Sequence, residues 1–162
     1  MNEQNQEEAS VAADSLLALD NQLCFALYAV NRAVTGRYRP LLAKLELTYP
    51  QYLVMLVMWE ADAGDDTPRV SAIGERLRLD SGTLTPLLRR LEQRGLVTRQ
   101  RSSEDERVVT VALTEAGRVM RGEAREVPLQ LLCELGVGPE EAIDLRGQLR
   151  KLLEHLESTE QR

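Results

Sequence analysis

The spacing of hydrophobic residues predicts helices in the N-terminal third of the chain. Apolar residues three or four positions apart indicate one long amphipathic helix that carries Leu16, Leu19, Leu23, Leu27, Val30 and Val34. Pro40 suits the first turn of a second, short helix, where a missing backbone N–H costs no hydrogen bond. Thr48, followed by Pro50, indicates the start of a third helix that runs through Trp59. We therefore expect three helices before residue 60.

Between Ser71 and Gly117 the pattern changes from helical spacing to short β-rich runs. A short helix and a turn precede a second helix that opens with Ser81-Gly82-Thr83-Leu84-Thr85, and Gly95 stands where a left-handed residue would end it. Two apolar runs, at 96–98 and 108–111, flank a polar segment that is too long for a two-residue turn. This order predicts a helix-turn-helix followed by a β-hairpin wing.

Helical spacing returns after the predicted wing. Thr114 is placed to cap a helix that runs toward Cys133, and the segment from Gly136 to Pro139 breaks that helix before a last, leucine-rich one. The two terminal helical regions, from about Leu16 and from Glu140, carry more apolar surface than a small winged domain can cover. Packing on a second copy across a two-fold axis would cover this surface. A two-fold dimer of helix-turn-helix proteins predicts a DNA site with pseudo-palindromic sequence. The alternative is that these helices fold back on their own chain as a monomer.

The predicted fold class is therefore mainly α with a small β-wing, as a winged helix-turn-helix with N- and C-terminal dimerisation helices. Such an arrangement makes double-stranded DNA the expected partner, because a major groove admits an α-helix whose N-terminal turns reach base edges and phosphates. The candidate DNA-binding residues lie on the second helix and on the hairpin; they are Ser81, Thr83, Thr85, Arg89, Arg90, Arg99, Arg101, Asp105 and Arg107. At the wing tip, we expect Arg107 to enter a minor groove and Asp105 to orient it.

The distribution of charge supports DNA binding more than the total charge does. The 162 residues carry a net charge of −6, but residues 69–107 hold nine arginines and six acidic residues, a net of +3, which leaves −9 for the rest. A local basic patch attracts phosphates even in an acidic protein. The alternative is that these arginines only solvate an exposed helix face, the usual role of charge runs.

Composition excludes several other classes of protein. No apolar run approaches the roughly 18 to 20 residues that cross a bilayer, and the N-terminal residues are acidic, so we expect a cytoplasmic protein without membrane association. The two cysteines, 109 positions apart, do not form a small-domain disulfide framework. With a single histidine, cysteine and histidine alone cannot assemble a zinc site, and we expect no cofactor.

All six aromatic residues follow Cys24 closely, between Phe25 and Trp59. Tyr28 lies four residues after Cys24 and so on the same helix face, while Tyr38 and Tyr49 can bring hydroxyl donors from elsewhere in a dimer. Phenol donors favour a thiolate over a thiol, and Phe25 together with these tyrosines could build an apolar cup around it. The alternative for Cys24 is a buried structural cysteine, and Cys133 taken alone is more often core packing than a reactive thiol.

The order of elements resembles the MarR family of dimeric winged-helix regulators over nearly the whole chain. The motifs that carry the resemblance are Asp80-Ser81-Gly82-Thr83-Leu84-Thr85-Pro86 and Glu104-Asp105-Glu106-Arg107. The segment Leu19-Asp20-Asn21-Gln22-Leu23-Cys24-Phe25-Ala26-Leu27-Tyr28 is similar to the organic-hydroperoxide-sensing branch, the OhrR regulators. That resemblance implies that Cys24 is the peroxide-reactive thiol and that Tyr38 and Tyr49 reach it from the other subunit. In the two-cysteine type of this branch, Cys133 would be the resolving thiol.

With this resemblance, we expect the chain to divide into a flexible N-terminus at 1–12, N-terminal helices for dimerisation and thiol sensing at 13–62, the DNA-binding part at 63–117 and C-terminal dimerisation helices at 118–162. The expected function is transcriptional repression. Organic hydroperoxide oxidises Cys24, Cys133 of the other subunit resolves the product, and the homodimer releases operator DNA.

Two alternatives remain for the function. The first is a MarR-type repressor that a non-covalent phenolic or drug-like ligand releases from DNA, with incidental cysteines. The second is a thiol peroxidase, for which the chain lacks a βαβ frame and a C-x-x-C motif. We therefore expect a regulator rather than an enzyme.

Overall fold

A computed structural model of the chain describes residues 16–101, 105 and 108–160. Its helices and strands in chain order are α1 (Leu23–Ala43), α2 (Tyr49–Ala63), α3 (Val70–Leu77), α4 (Ser81–Gln93), β1 (Val97–Arg101), β2 (Val109–Leu113), α5 (Glu115–Ala124), α6 (Glu126–Leu135) and α7 (Pro139–Glu160). The predicted flexible N-terminus at 1–12 lies outside the described residues, as does most of the wing tip, including Arg107. The predicted fold class, mainly α with a small β-wing, is confirmed.

The first helix begins later than the apolar spacing predicts. Leu16 and Leu19 lie outside α1, and a short 3₁₀ helix from Leu19 to Asn21 precedes it. Asp20 and Asn21 interrupt the apolar pattern there, and such side chains compete with the helix for backbone hydrogen bonds. The prediction of one continuous helix from Leu16 is therefore wrong.

Helix α1 also continues through Pro40, which the sequence places at the start of a separate helix. Pro40 lies inside α1, where it cannot donate a hydrogen bond to the carbonyl of Gly36. Burial of Leu41 and Leu42 just after the proline favours the helical course despite this loss. The predicted helix start at Pro40 is therefore wrong, and α1 ends at Ala43.

Helix α2 begins where Thr48 and Pro50 predict it. Thr48 is the N-cap, and the Gln51 side chain accepts from the Thr48 backbone N–H at 2.9 Å in a capping box. The helix runs on past Trp59 to Ala63 and contacts α3, α4 and β2. Met55, Met58 and Trp59 on α2 are buried, so they are core residues.

Helices α3 and α4 and the two strands form the predicted helix-turn-helix and wing. Asp80 caps α4, and Gly95 ends the turn after it with a φ of 67°. Strands β1 and β2 pair antiparallel, with Arg99 opposite Val111. An isolated bridge between Arg69 and Thr110 ties the segment before α3 to the same sheet.

The segment between the wing and the last helix contains two helices rather than the single one predicted. Thr114 caps α5, as expected, but α5 ends at Ala124 and α6 starts at Glu126. Pro128 lacks the N–H that would bond to the carbonyl of Ala124, which accounts for the break. Gly136, with a φ of 62°, ends α6 as predicted.

Contacts divide the chain into two compact units, one that ends at Arg37 and one that begins at Tyr38. In the second unit, the core lies where α2, α3, α4 and the wing meet. By contrast, none of residues 139–159 of α7 is buried. No helix in the described part of the chain is long and apolar enough to cross a membrane.

The start of α5 approaches the wing closely at Gly117. A Cβ atom placed on Gly117 would lie 2.9 Å from Cδ2 of Leu113 and would overlap the carbonyl oxygen of Leu96. The backbone oxygen of Gly117 also accepts a 2.8 Å hydrogen bond from the indole N–H of Trp59. A residue without a side chain therefore lets α5, the wing and α2 meet.

We predict that Gly117→Ala lowers the free energy of unfolding by about 3 kcal/mol, because a methyl group does not fit between α5 and the Leu96 carbonyl. Gly122→Ala, on the same helix, is the matched control, since no atom lies within 4 Å of its added Cβ. That variant is expected to gain up to about 1 kcal/mol of helix propensity. Urea denaturation at one protein concentration measures both, and equal stability of the two variants would refute the close contact.

Candidate thiol site and DNA-contacting surface

Cys24 lies in the first turn of α1 as an exposed free thiol. Its Sγ is 4.0 Å from Oε1 of Gln22, a long contact for a thiol donor. Phe25 beside it is half-buried. Tyr28 is exposed, and its hydroxyl accepts a 2.9 Å hydrogen bond from Arg32, whose guanidinium also lies 5.6 Å from the centre of the ring. The structure thus places Cys24, Phe25 and Tyr28 in one stretch of helix, with Tyr28 already engaged by Arg32.

Cys133 lies in the last turn of α6 and is also an exposed free thiol. Its backbone carbonyl accepts from the N–H of Gly136, which belongs to the helix end. Neither Cys24 nor Cys133 forms a disulfide within the described chain.

Tyr38 and Tyr49 belong to a cluster of four aromatic rings in the second unit. The ring centroid of Tyr38 is 4.7 Å from that of Tyr49 and 5.8 Å from that of Tyr52. Tyr52 is 6.3 Å from Trp59 in an edge arrangement. Tyr52 is almost fully buried and was not among the predicted pocket residues, although its position three residues after Tyr49 on α2 puts both on one helix face.

The phenols of this cluster hold their protons strongly. Burial, followed by the proximity of Tyr49 and Tyr52, raises the pKa of Tyr38 to about 12. Burial also raises the pKa of Tyr49 and of Tyr52. These hydroxyls therefore stay protonated through the physiological pH range and can act as hydrogen-bond donors.

Helix α4 presents a polar face opposite its buried stripe. The buried residues, with 3.6 residues per turn, form one side of the helix; they are Leu84, Leu87, Leu88 and Leu91. Ser81, Thr85, Arg89 and Arg90 are exposed. Thr83 is exposed too, but its hydroxyl donates to Asp80 at 2.8 Å and its N–H donates to the same carboxylate at 2.9 Å. These bonds lower the pKa of Asp80. Because both donors of Thr83 bind the Asp80 carboxylate, Thr83 takes part in the N-terminal cap of the helix.

Arg99, a predicted DNA contact, is engaged within the protein. Its Nη2 lies 2.6 Å and its Nε 3.0 Å from Oε2 of Glu92 on α4, and its backbone N–H donates to the same side chain. Hydrogen bonds from Arg99 hold the pKa of Glu92 below its ordinary value. The pair therefore attaches β1 to α4, and Arg101 at the end of β1 stays exposed. Asp105 lies in the loop, whereas its predicted partner Arg107 lies outside the described residues.

Comparisons with known proteins agree with this architecture. A family model described as "Transcriptional regulator SarA/Rot" matches residues 37–123. The chain is 49% identical over 140 residues to the "Organic hydroperoxide resistance transcriptional regulator" of Bacillus subtilis, a match that covers 86% of this chain and 92% of the relative.

Solved structures with the same fold come from related regulators. The structure of reduced AbfR bound to DNA, a protein of Staphylococcus epidermidis, is 35% identical with a TM-score of 0.70, covering 88% of this chain and 97% of AbfR. Disulfide-formed AbfR is 32% identical with a TM-score of 0.61, covering 94% and 99%. A mutant MarR of E. coli complexed with operator DNA is 26% identical with a TM-score of 0.70, covering 81% and 93%. The chain belongs to the MarR family of winged-helix transcriptional regulators, in the branch of the organic hydroperoxide regulators.

Proposed function

We propose that this protein is a dimeric repressor that binds operator DNA when reduced and releases it when an organic hydroperoxide oxidises Cys24. The observation that carries the proposal is an exposed, unpaired thiol at Cys24 in a chain that also holds a winged helix-turn-helix. The similarity to the Bacillus subtilis regulator of organic hydroperoxide resistance supports the choice of oxidant.

The polar face of α4 supplies the DNA-binding surface in this proposal. Ser81 and Thr85 present hydroxyls near the helix N-terminus, and Arg89 and Arg90 add charge about one turn beyond Thr85. Arginines and hydroxyls are the groups that proteins use most for phosphate and base-edge contacts. Arg101 extends the basic surface onto the wing, while the ion pair of Arg99 with Glu92 holds the wing strand against the recognition helix. Both AbfR and MarR are described in complex with DNA.

Uncovered apolar side chains support the dimer. On and before α1 they include Leu16, Leu17, Leu19, Leu23, Leu27 and Val30, and on α7 they include Ile143, Leu145, Leu149, Leu153 and Leu156. Each of these is more than a third exposed, an unusual amount for two long helical faces. A second copy that buries both faces also sets two recognition helices on one duplex.

The tyrosine donors come from the partner subunit in this proposal. Cys24 belongs to the first compact unit, whereas Tyr38 and Tyr49 belong to the second. The resemblance to the OhrR regulators implies that these tyrosines reach the thiol from the other subunit. A second copy of α1, running beside the first, brings the phenols of Tyr38 and Tyr49 to the thiol.

The chemistry at Cys24 begins with its thiolate. The sulfur attacks the terminal oxygen of the hydroperoxide, the O–O bond breaks, and the alkoxide takes a proton and leaves as the alcohol, with sulfenic acid formed on Cys24. The thiol of Cys133 from the partner subunit then attacks the sulfenic sulfur, which forms a disulfide and releases water. The peroxide is reduced by two electrons and the two thiols are oxidised by two.

Ionisation of the thiol would account for only part of the rate at which it reacts with a hydroperoxide. A free thiol with a pKa of about 8.5 is already roughly one tenth ionised near pH 7.5, so complete ionisation gains at most about tenfold. Further acceleration requires that the peroxide be positioned and that the leaving alkoxide receive a hydrogen bond. The phenol hydroxyls of Tyr38 and Tyr49 are protonated at that pH and are suited to that donation.

Oxidation must then shift the protein from DNA-competent to incompetent. A change from almost all bound to almost all released requires a differential of about 5.5 kcal/mol between the two states. An intersubunit disulfide requires the α-carbons of Cys24 and Cys133 to come within about 7 Å, and it fixes the interface in that arrangement. AbfR, which is described both in a reduced DNA-bound form and in a disulfide form, gives a precedent for such a pair of states.

We predict that Cys24→Ser still binds operator but is not released by cumene hydroperoxide, because serine has no oxidisable sulfur. An operator-shift titration of the reduced proteins measures this, with hydrogen peroxide as the second oxidant. Wild type is expected to respond at lower concentrations of the organic oxidant and to rebind after dithiothreitol. Normal release of Cys24→Ser would refute the sensor assignment.

The variant Cys133→Ser tests the resolving step in the same titration. It keeps Cys24, so oxidation proceeds, but the product stays as sulfenic acid or becomes overoxidised. On a non-reducing gel, the disulfide-linked dimer of oxidised wild type should be absent from this variant; its persistence would contradict the role of Cys133.

Release of wild-type protein from its operator that reverses on dialysis without reductant would instead support regulation by a non-covalent ligand.

We predict that the phenol of Tyr38 remains protonated at pH 11. With a pKa of about 12, it is only about one tenth ionised there, whereas an ordinary tyrosine with a pKa of about 10 is about nine tenths ionised. The difference in absorbance at 295 nm between wild type and Tyr38→Phe measures this directly. A full tyrosinate difference in the folded proteins at pH 11 would contradict the prediction, and the pair in guanidinium chloride gives the unshifted control.

The raised pKa of Tyr38 also makes the stability of the folded protein depend on pH. The unfolded chain loses the Tyr38 proton near pH 10, but the folded chain keeps it to about pH 12, so the contribution to stability is complete below pH 10 and is lost as the pH rises to 12. Wild type should therefore lose stability across that interval more steeply than Tyr38→Phe.

A further inference from the structure

The loop between α1 and α2 separates the two tyrosines that the proposed function assigns to the thiol site. Tyr38 lies near the end of α1 and Tyr49 is the first residue of α2, with residues 44–48 between the helices. Glu46 adopts a left-handed backbone with a φ of 52°. The N–H of Leu47 bonds to the carbonyl of Leu42, and the N–H of Glu46 bonds to that of Ala43, the pair of bonds that defines a Schellman helix end.

This helix end directs two carbonyl groups toward the recognition helix. Arg94, the residue that ends α4, donates from Nη1 to the carbonyl oxygen of Glu46 at 2.6 Å and from Nη2 to that of Leu45 at 3.1 Å. A longer contact of 3.3 Å joins Nη2 to the Glu46 carboxylate. The Arg94 side chain is 28% exposed, so these bonds are partly shielded from water.

The planar guanidinium suits this task because its two terminal nitrogens bind two neighbouring carbonyls at once. Arg94 is itself fixed at its base, since its N–H donates to the carbonyl of Arg90 and the preceding turn of α4 buries Leu91 completely. The loop is anchored as well, by the buried side chains of Leu45 and Leu47. The bonds therefore join two rigid elements rather than two mobile ones.

A second connection runs through the aromatic cluster. Tyr52 packs on Tyr38, Trp59 packs on Tyr52, and the indole of Trp59 bonds to Gly117 beside the wing. This connection leads to the wing, whereas the two hydrogen bonds from Arg94 lead directly to the end of α4 and fix both distance and orientation there. In the described part of the chain, Arg94 thus joins the loop between α1 and α2 to the end of α4 by hydrogen bonds.

We propose that Arg94 is a positioning residue that couples the two tyrosines of the thiol site to the recognition helix. The inference rests on the proposed function and adds the route by which oxidation is transmitted. When the tyrosines move with the oxidised thiol, the loop moves with them, and the bonds from its carbonyls to Arg94 carry that displacement to the end of α4. Arg94 therefore serves DNA release rather than DNA contact.

The test uses Arg94→Lys, which keeps the positive charge but offers a single ammonium group in place of two fixed nitrogens. Operator affinity is measured for full-length reduced protein and for protein in which mass spectrometry shows Cys24 fully oxidised. An event at one site typically changes the affinity at a second site by about 5 to 150-fold. For Arg94→Lys, we expect the ratio of the operator Kd of oxidised protein to that of reduced protein to fall at least about fivefold below the wild-type ratio. The Kd of the reduced variant should stay within about threefold of wild type.

Glu46→Gln is the matched control, because it removes the carboxylate contact and keeps both carbonyls. It should show the wild-type ratio; a loss equal to that of Arg94→Lys would assign the effect to the ion pair and overturn the bridging role. An unchanged ratio in Arg94→Lys would also overturn the proposal.

Two further outcomes separate this proposal from the one on which it rests. If wild type keeps its operator after Cys24 is oxidised, the proposed function fails, whatever Arg94 does. If Arg94→Lys fails to bind operator when reduced, Arg94→Gln, whose amide can donate to one carbonyl, takes its place. Loss of reduced binding in both variants would show that Arg94 acts in DNA binding itself and would overturn the inference.

Discussion

The burial of α2 is the constraint on which the arrangement of the second unit depends. One end of α2 carries Tyr49 and Tyr52, and the other end carries Met58 and Trp59. The helix that holds Tyr49 and Tyr52 is therefore also the helix on which α3, α4 and the wing pack. Because protein interiors are close-packed, a shift of such a helix cannot be absorbed locally. A change at the tyrosines therefore has a direct structural connection to the proposed DNA-binding surface.

The two long helical faces that α1 and α7 leave uncovered set a second constraint. Their apolar side chains are more than a third exposed in the single chain. In the proposed function, a dimer covers these faces, and the same contact brings the tyrosines of one subunit to the thiol of the other. Sensor and dimer interface would then be the same structure, so that a change at one sulfur atom would reach both recognition helices.

The elements that sequence predicted well are those with local signals. Thr48, Thr114, Gly95 and Gly136 mark helix starts and ends through caps and left-handed turns, and the structure places each as expected. One misjudged element depends on tertiary contacts, because burial of Leu41 and Leu42 carries α1 through Pro40. For the site, the roles assigned to Cys24, Tyr38 and Tyr49, and to Arg99 on DNA, stay predictions. The sequence did not single out the ion pair of Arg99 with Glu92 or the bonds from Arg94 to two carbonyls. Neither pairing has a short-range sequence signal.

In the proposed function, the oxidation state of Cys24 decides whether the protein holds its operator. Residue-resolved mass spectrometry of the bound and released fractions, after partial oxidation with an organic hydroperoxide, tests this. We expect that Cys24 is a thiol in the bound fraction and is oxidised, as sulfenic acid or as a disulfide with Cys133, in the released fraction. Released protein in which Cys24 is still a thiol would contradict it.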